Sequence, residues 1–243
     1  MVGEGVEARR HEGTEGEKKG NVRIGVVLPA DRTKRLRIDV SEAGYALNGA
    51  VVRGVSLDVE VDGDGIAIGT ERSDTWTLEP VEPSDAGRIT LRDCRIGRGF
   101  HWESRIDLVL PGRVELSVID GHLLVVNELG VEPYLTGVVT AEMSGGCPVE
   151  FAKAQCLVAR SWLYAATERK HEDLGVDLCN DDCCQRYQGV GGVTPTARAA
   201  VEETRGLVLV HASGGVVDAN YHKCCGGAGS GVGRAEGRSA LGG

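Results

Sequence analysis

The sequence predicts an α+β fold: an N-terminal β-rich module, a two-helix core, a ligand-bearing loop and a C-terminal β-hairpin. Three observations predict it. Residues 21–130 are a succession of short apolar or alternating runs separated by Gly and Asp, the pattern of many short strands. From Glu132 to Lys170 the apolar spacing changes to three and four, the period of a helix. Beyond it, HEDLGVDLCNDDCCQRYQGVGG (171–192) has few apolar residues and many sulfur and polar groups, so it reads as a loop.

Residues 1–20 are rich in Gly, Glu, Lys and Arg with almost nothing to bury, and read as a disordered tail. VRIGVVL (22–28) is a buried-strand pattern. LRIDV (36–40), YALNGAVV (45–52), VSLDVEV (55–61), GIAIGT (65–70), WTLEPV (76–81) and GRITLRD (87–93) continue the β-rich module to residue 105. IDLVLPG (106–112), VELSVID (114–120) and HLLVVNEL (122–129) lead into the helices. Asp62-Gly63-Asp64-Gly65 and Asp120-Gly121 are hairpin signals. Gly97-Arg98-Gly99-Phe100-His101-Trp102-Glu103 reads as a structural corner with Phe100 and Trp102 in the core. The alternative is a sugar-stacking or substrate-edge loop.

In the helical stretch, Pro133 suits a first turn, where a missing N–H costs nothing. Tyr134, Leu135, Val138, Val139 and Met143 recur at helical spacing, and Gly145 and Gly146 stop the helix. Pro148 starts the second helix. On its wheel, Phe151, Ala154, Val158, Trp162, Ala165 and Ala166 form an apolar side, which predicts the packed face. Lys153, Arg160 and Tyr164 form a stripe opposite, predicted to face outward. Gln155 falls on the apolar side and reads as a buried hydrogen-bonding or second-layer group. Glu142 closes the first helix, where an acid opposes the helix dipole and its pKa tends to rise. Farther on, Thr194-Pro195 reads as the start of a short helix ending before Gly206. GLVLVHASGGVVDANYH (206–222) reads as a hairpin turning at Ser213-Gly214-Gly215, and residues 228–243 as a flexible tail.

The formal net charge is -9, which argues against nucleic acid as the main partner. No apolar run is long enough for a membrane-spanning helix. The N-terminus has no apolar signal-peptide core; taken as written the chain is cytosolic, and a start farther upstream is the alternative. Of 8 cysteines, five fall at 179/183/184 and 224/225. In a reducing compartment such clustering suggests metal more than disulfides. Cys94, Cys147 and Cys156 read as buried free thiols.

Five motifs in order then converge on one family. They are VEPYLTGVVTAEM with Glu142, KAQCLVARSWLYA, DLCNDDCCQRYQG, AVEETRGLVLV and ANYHKCCGG. Across residues 106–227 the chain resembles the sporulation stage II protein D family, which also includes amidase-enhancer proteins of bacterial cell walls. The resemblance implies that 106–227 is the catalytic domain, that the family's domain extends farther than this chain, and that the protein works in the cell envelope. It implies lytic transglycosylase cleavage of peptidoglycan glycan strands, with Glu142 as the acid and then the base. A non-catalytic module that binds glycan or assists a cell-wall amidase is the alternative.

By the same resemblance, Lys153, Arg160, Tyr164, Gln185, Tyr187, Tyr221 and His222 are candidate substrate-binding residues. The loop is also where members of the family can carry zinc. Here His171, Cys179, Cys183 and Cys184 would make a Cys₃His set with a structural role. Cys224-Cys225 can instead supply a ligand, or bridge to the loop as a disulfide. No organic cofactor is expected.

Overall fold

The computed structural model describes residues 5–11, 20–82, 86–143, 146–165 and 170–221. His222, Cys224, Cys225 and the tail from 228 lie outside the described residues, as do Gly145 and Ala166. The strands are β1 (Val6–Arg10), β2 (Asn21–Val27), β3 (Arg35–Val40), β4 (Tyr45–Leu47), β5 (Ala50–Val52), β6 (Ser56–Asp62), β7 (Gly65–Ile68) and β8 (Glu71–Ser73). Next come β9 (Trp76–Pro80), β10 (Ile89–Ile96), β11 (Ser104–Leu110), β12 (Arg113–Ile119) and β13 (His122–Gly130). The chain continues through α1 (Val131–Met143), α2 (Val149–Ala165), β14 (Leu178–Cys179), α3 (Pro195–Glu203) and β15 (Leu207–His211). The architecture is α+β, as the sequence predicts.

Alternation along the strands sorts them into two larger sheets, ordered β11-β10-β3-β6-β7-β8 and β14-β2-β13-β12-β9-β4-β5. Both expected tight hairpins form, with Asp62 opposite Gly65 and Ile119 opposite His122. Ile38, Ile66, Leu78 and Leu116 from the sheets share one core with Tyr134, Val138 and Ala159 from the helices. The boundary expected at 105/106 therefore runs through a sheet and a core: β10 pairs with β11 across it, and β14 adds in parallel to β2.

Residues 6–10, expected without structure, form β1 against β15. All five are exposed, so their composition correctly signals nothing to bury. What holds them is main-chain hydrogen bonding to an open strand edge, which needs no apolar side chain. The hairpin expected after β15 is correspondingly short. His211 N–H donates to Gly215 O and Val217 N–H to Leu209 O, each at 2.8 Å, and among the described residues strand pairing on that side is a single bridge, Val210 to Val216.

The helices start where capping predicts. Thr194 accepts a hydrogen bond from Ala197 N–H at the head of α3. At the head of α2, Pro148 O accepts from Phe151 and Ala152. Orientation of α2 is the main departure. None of the described residues of the predicted packed side, Phe151, Ala154, Val158, Trp162 and Ala165, is buried, and Phe151 is 56% exposed. The buried face consists of Ala152, Gln155, Cys156, Ala159, Arg160, Ser161 and Leu163. Small side chains there let α1, α3 and β15 pack closely. The wheel fails because Arg160, taken as a solvated cation, is fully buried.

Candidate active site

α1 delivers Glu142 to the site through a close approach. A Cβ at Gly137 would lie 2.6 Å from the Tyr187 ring and 2.7 Å from Gly189 O, so only glycine lets the helix sit against the 185–189 segment. One turn farther on, the Arg186 main-chain N–H donates to Glu142 Oε1 at 3.0 Å. Tyr221 Oη donates to the same oxygen at 3.4 Å. Among the described residues Oε2 has no hydrogen-bond donor, which leaves it for a ligand. Burial holds the Glu142 carboxyl above the usual carboxylate range, against the lowering effect of the Arg186 N–H and guanidinium, while Asp182 adds to the rise. The helix-end position seen in the sequence is real; desolvation is the larger cause.

Glu142 opens onto a cavity of about 1050 Å³. One wall is α2, through Phe151, Gln155 and Trp162. Another is the 97–103 segment, through His101 and Trp102, and a third carries Asp182, Cys183, Cys184 and Arg186. Phe100, placed in the core by the corner reading, is 42% exposed, whereas Trp102 is half-buried and packs against the core while it lines the cavity. Trp102 lies on Gly97, where a Cβ would approach the indole to 2.6 Å. The Arg186 guanidinium stands 4.0 Å from the Trp102 ring centre and pairs with Asp182 at 3.1 Å.

A buried strut fixes this segment. Arg98 Nε pairs with Asp31 at 2.6 Å and Nη1 with Asp181 at 2.5 Å. Nη1 also donates to Asn180 Oδ1 at 2.8 Å, and Gly97 N–H to Asp181 Oδ1 at 2.7 Å. The β-rich half of the chain therefore helps build the cavity, which sequence reading assigned to 106–227.

The other expected site residues separate into two groups. Tyr221 lines the cavity with Glu142. Arg160 does not: its guanidinium pairs with Glu132 at 2.7 Å and 3.2 Å, and donates to Leu207 O at 3.0 Å. Lys153 bridges Glu150 at 2.8 Å and Glu203 at 2.5 Å, tying α2 to α3. Tyr164 packs on His11, ring centres 4.4 Å apart. The three lie together as predicted, but on the packed side of α2. Tyr187 is buried and donates to Asn127 Oδ1 at 3.0 Å. Gln185 is buried, accepting from Tyr134 Oη at 2.9 Å and donating to Ala159 O at 3.1 Å. Gln155 is buried at the cavity wall, and its amide nitrogen has no hydrogen-bond partner among the described residues. His222 lies outside the described residues.

His171, Cys179, Cys183 and Cys184 converge, with one ligand atom of each within 4.8 Å of the others. Cys183 Sγ is 2.9 Å from Cys179 Sγ and 3.8 Å from His171 Nε2. Tetrahedral zinc–thiolate bonding spaces sulfurs by about 3.8 Å, so the set fits a metal if Cys179 and Cys183 open slightly. Hydrogen bonding from Cys179 lowers the Cys183 thiol from its ordinary range.

Sequence reading missed Phe151, Trp162, Arg186, Asp182 and the Arg98 strut. A signal for the first two was present: both are bulky aromatics on a side whose other apolar residues are Ala and Val, in a chain with 4% aromatic residues.

Residues 119–211 match the family model SpoIID, described as Stage II sporulation protein. The resemblance drawn from the motifs holds over that segment, which contains Glu142, both long helices and the cysteine loop. A protein of Brachyspira hyodysenteriae, described as uncharacterized, is 33% identical over 105 residues, covering 43% of this chain. The chain spans 28% of that relative's length. No solved structure matches the chain. Among the described residues, no helix is long and apolar enough to cross a membrane.

Proposed function

We propose that this protein cleaves the glycan strands of peptidoglycan in the cell envelope by a lytic transglycosylase reaction, with Glu142 as its one acid/base. The observation that carries the reading is a carboxyl at a cavity floor, held by two donors on Oε1 and raised by burial. A proton on Oε2 is then available to the glycosidic oxygen, and the bond from that oxygen to the muramic C1 breaks. The carboxylate so formed takes the proton of the muramic 6-hydroxyl, whose oxygen closes onto C1. No water is consumed, and Glu142 returns to its starting state. A protonated carboxyl near neutral pH is what the first step requires.

Zinc in the His171, Cys179, Cys183 and Cys184 set would pin the loop that carries Arg186 and Asp182; bound there, it supplies structure. The loop's own groups position Glu142.

A module that binds glycan and assists an amidase is the second reading, favoured by the aromatic cavity walls, which need no chemistry to hold a sugar. Glu142→Gln separates the two. The reaction predicts that this variant loses about 10²–10⁴-fold in cleavage of glycan strands while still binding them. Equal product from the two proteins removes the enzyme reading.

A further inference from the structure

Three observations on α2 point the same way. Phe151, Gln155 and Trp162 fall within about 40° on its wheel, and all three line the Glu142 cavity. Phe151 is 56% exposed on this wall, and Trp162 is half-buried. Between them Gln155 is 7% exposed, and its side-chain nitrogen has no partner among the described residues. A buried donor without a partner is costly, whereas Lys153 and Arg160 on the same helix are paired.

We infer that the Phe151–Gln155–Trp162 stripe is the wall that grips substrate, and that its ligand is a chain of N-acetylated hexosamines. This rests on the reading of the cavity as a glycan cleft. Flat aromatic rings match the apolar C–H faces of pyranoses, and the Gln155 amide matches an acetamido carbonyl oxygen. Phe151 and Trp162 are about 16 Å apart along the helix axis, the length of a few linked sugar rings. The cavity volume of about 1050 Å³ lies at the top of the range for small-molecule pockets, which suits an oligosaccharide more than one sugar. The stripe replaces Lys153, Arg160 and Tyr164, whose side of the helix is packed.

The test measures binding of chitotetraose and of peptide-free glycan strands by calorimetry, with the full chain carrying Glu142→Gln so that ligand is not consumed. Adding Trp162→Leu or Phe151→Ala should weaken binding about tenfold, with thermal unfolding unchanged. Adding Gln155→Leu should reduce the preference for chitotetraose over its deacetylated form by about tenfold. Lys153→Ala should bind as the parent does. The inference is overturned if the parent binds neither ligand, if the Trp162 and Phe151 variants bind as tightly as the parent, or if Lys153→Ala loses as much. Binding and cleavage are read separately. Intact binding in a wild-type protein that does not cleave sinks only the proposed reaction. Cleavage with binding indifferent to the stripe sinks only this inference.

Discussion

The main-chain N–H of Arg186 donates to Glu142 Oε1 at 3.0 Å, so the cysteine loop and the end of α1 meet at one carboxyl oxygen. Tyr221 Oη reaches the same atom and favours the ionised form. Tyr221→Phe removes that donor and should raise the Glu142 pKa further. The limb of the rate–pH profile that falls as Glu142 deprotonates should then move to higher pH, while the maximal rate changes by about tenfold or less. A profile of glycan cleavage against pH for the two proteins checks this.

Burial of Glu142 also predicts a pH-dependent cost in stability. Its folded-state pKa lies above the unfolded value, so the folded state favours the protonated form. The stability this contributes is fully present below the unfolded pKa and is lost as pH rises through the folded one. Glu142→Gln, neutral at every pH, should therefore unfold at a higher temperature than wild type near neutrality, with the gap closing in mild acid. Melting curves at the two pH values test it; a gap of the opposite sign would contradict the burial account.

Arg160 and Lys153 share a stripe but should behave differently. Arg160 is buried and pairs with Glu132, itself an acceptor for Gly206 N–H. Arg160→Ala leaves the half-buried Glu132 carboxylate without its cation and the Leu207 carbonyl without its donor, and should cost about 3 kcal/mol in denaturant unfolding. Lys153 joins exposed acids, and Lys153→Ala should cost less than about 1 kcal/mol.

Metal content is predicted from the loop. Purified protein should contain one zinc, a chelator should lower its melting temperature, and Cys179→Ser should abolish both properties. Arg98 holds Asp181 and Asn180 between the ligands. Arg98→Ala should therefore weaken zinc affinity by about 10–100-fold, measured by competition with a coloured chelator.

The strands, both long helices and the cap of α3 were legible because each rests on local chemistry: alternation, Pro at a first turn, Thr194 as a cap. Glu142 was legible as a helix-end acid within a recognisable set of motifs. The facing of α2 was not. A wheel ranks Arg as solvated, and only the remote Glu132 carboxylate and Leu207 carbonyl make burial of Arg160 tolerable. The cavity wall from the β-rich half was hidden for a similar reason. Arg98, Asp31 and Asp181 are far apart in sequence, and nothing local marks them as partners.

A hydrolysing glycosidase would activate water through a second carboxylate; Asp218 lines the same cavity as Glu142, and so does Asp182. Pairing with Arg186 commits Asp182 elsewhere, and the account needs only Glu142. Cleavage of peptide-free glycan strands in isotopically labelled water, read by mass spectrometry, tests this most directly. The account predicts 1,6-anhydro-muramic ends that carry no label from the solvent. Reducing ends that carry solvent label would contradict it.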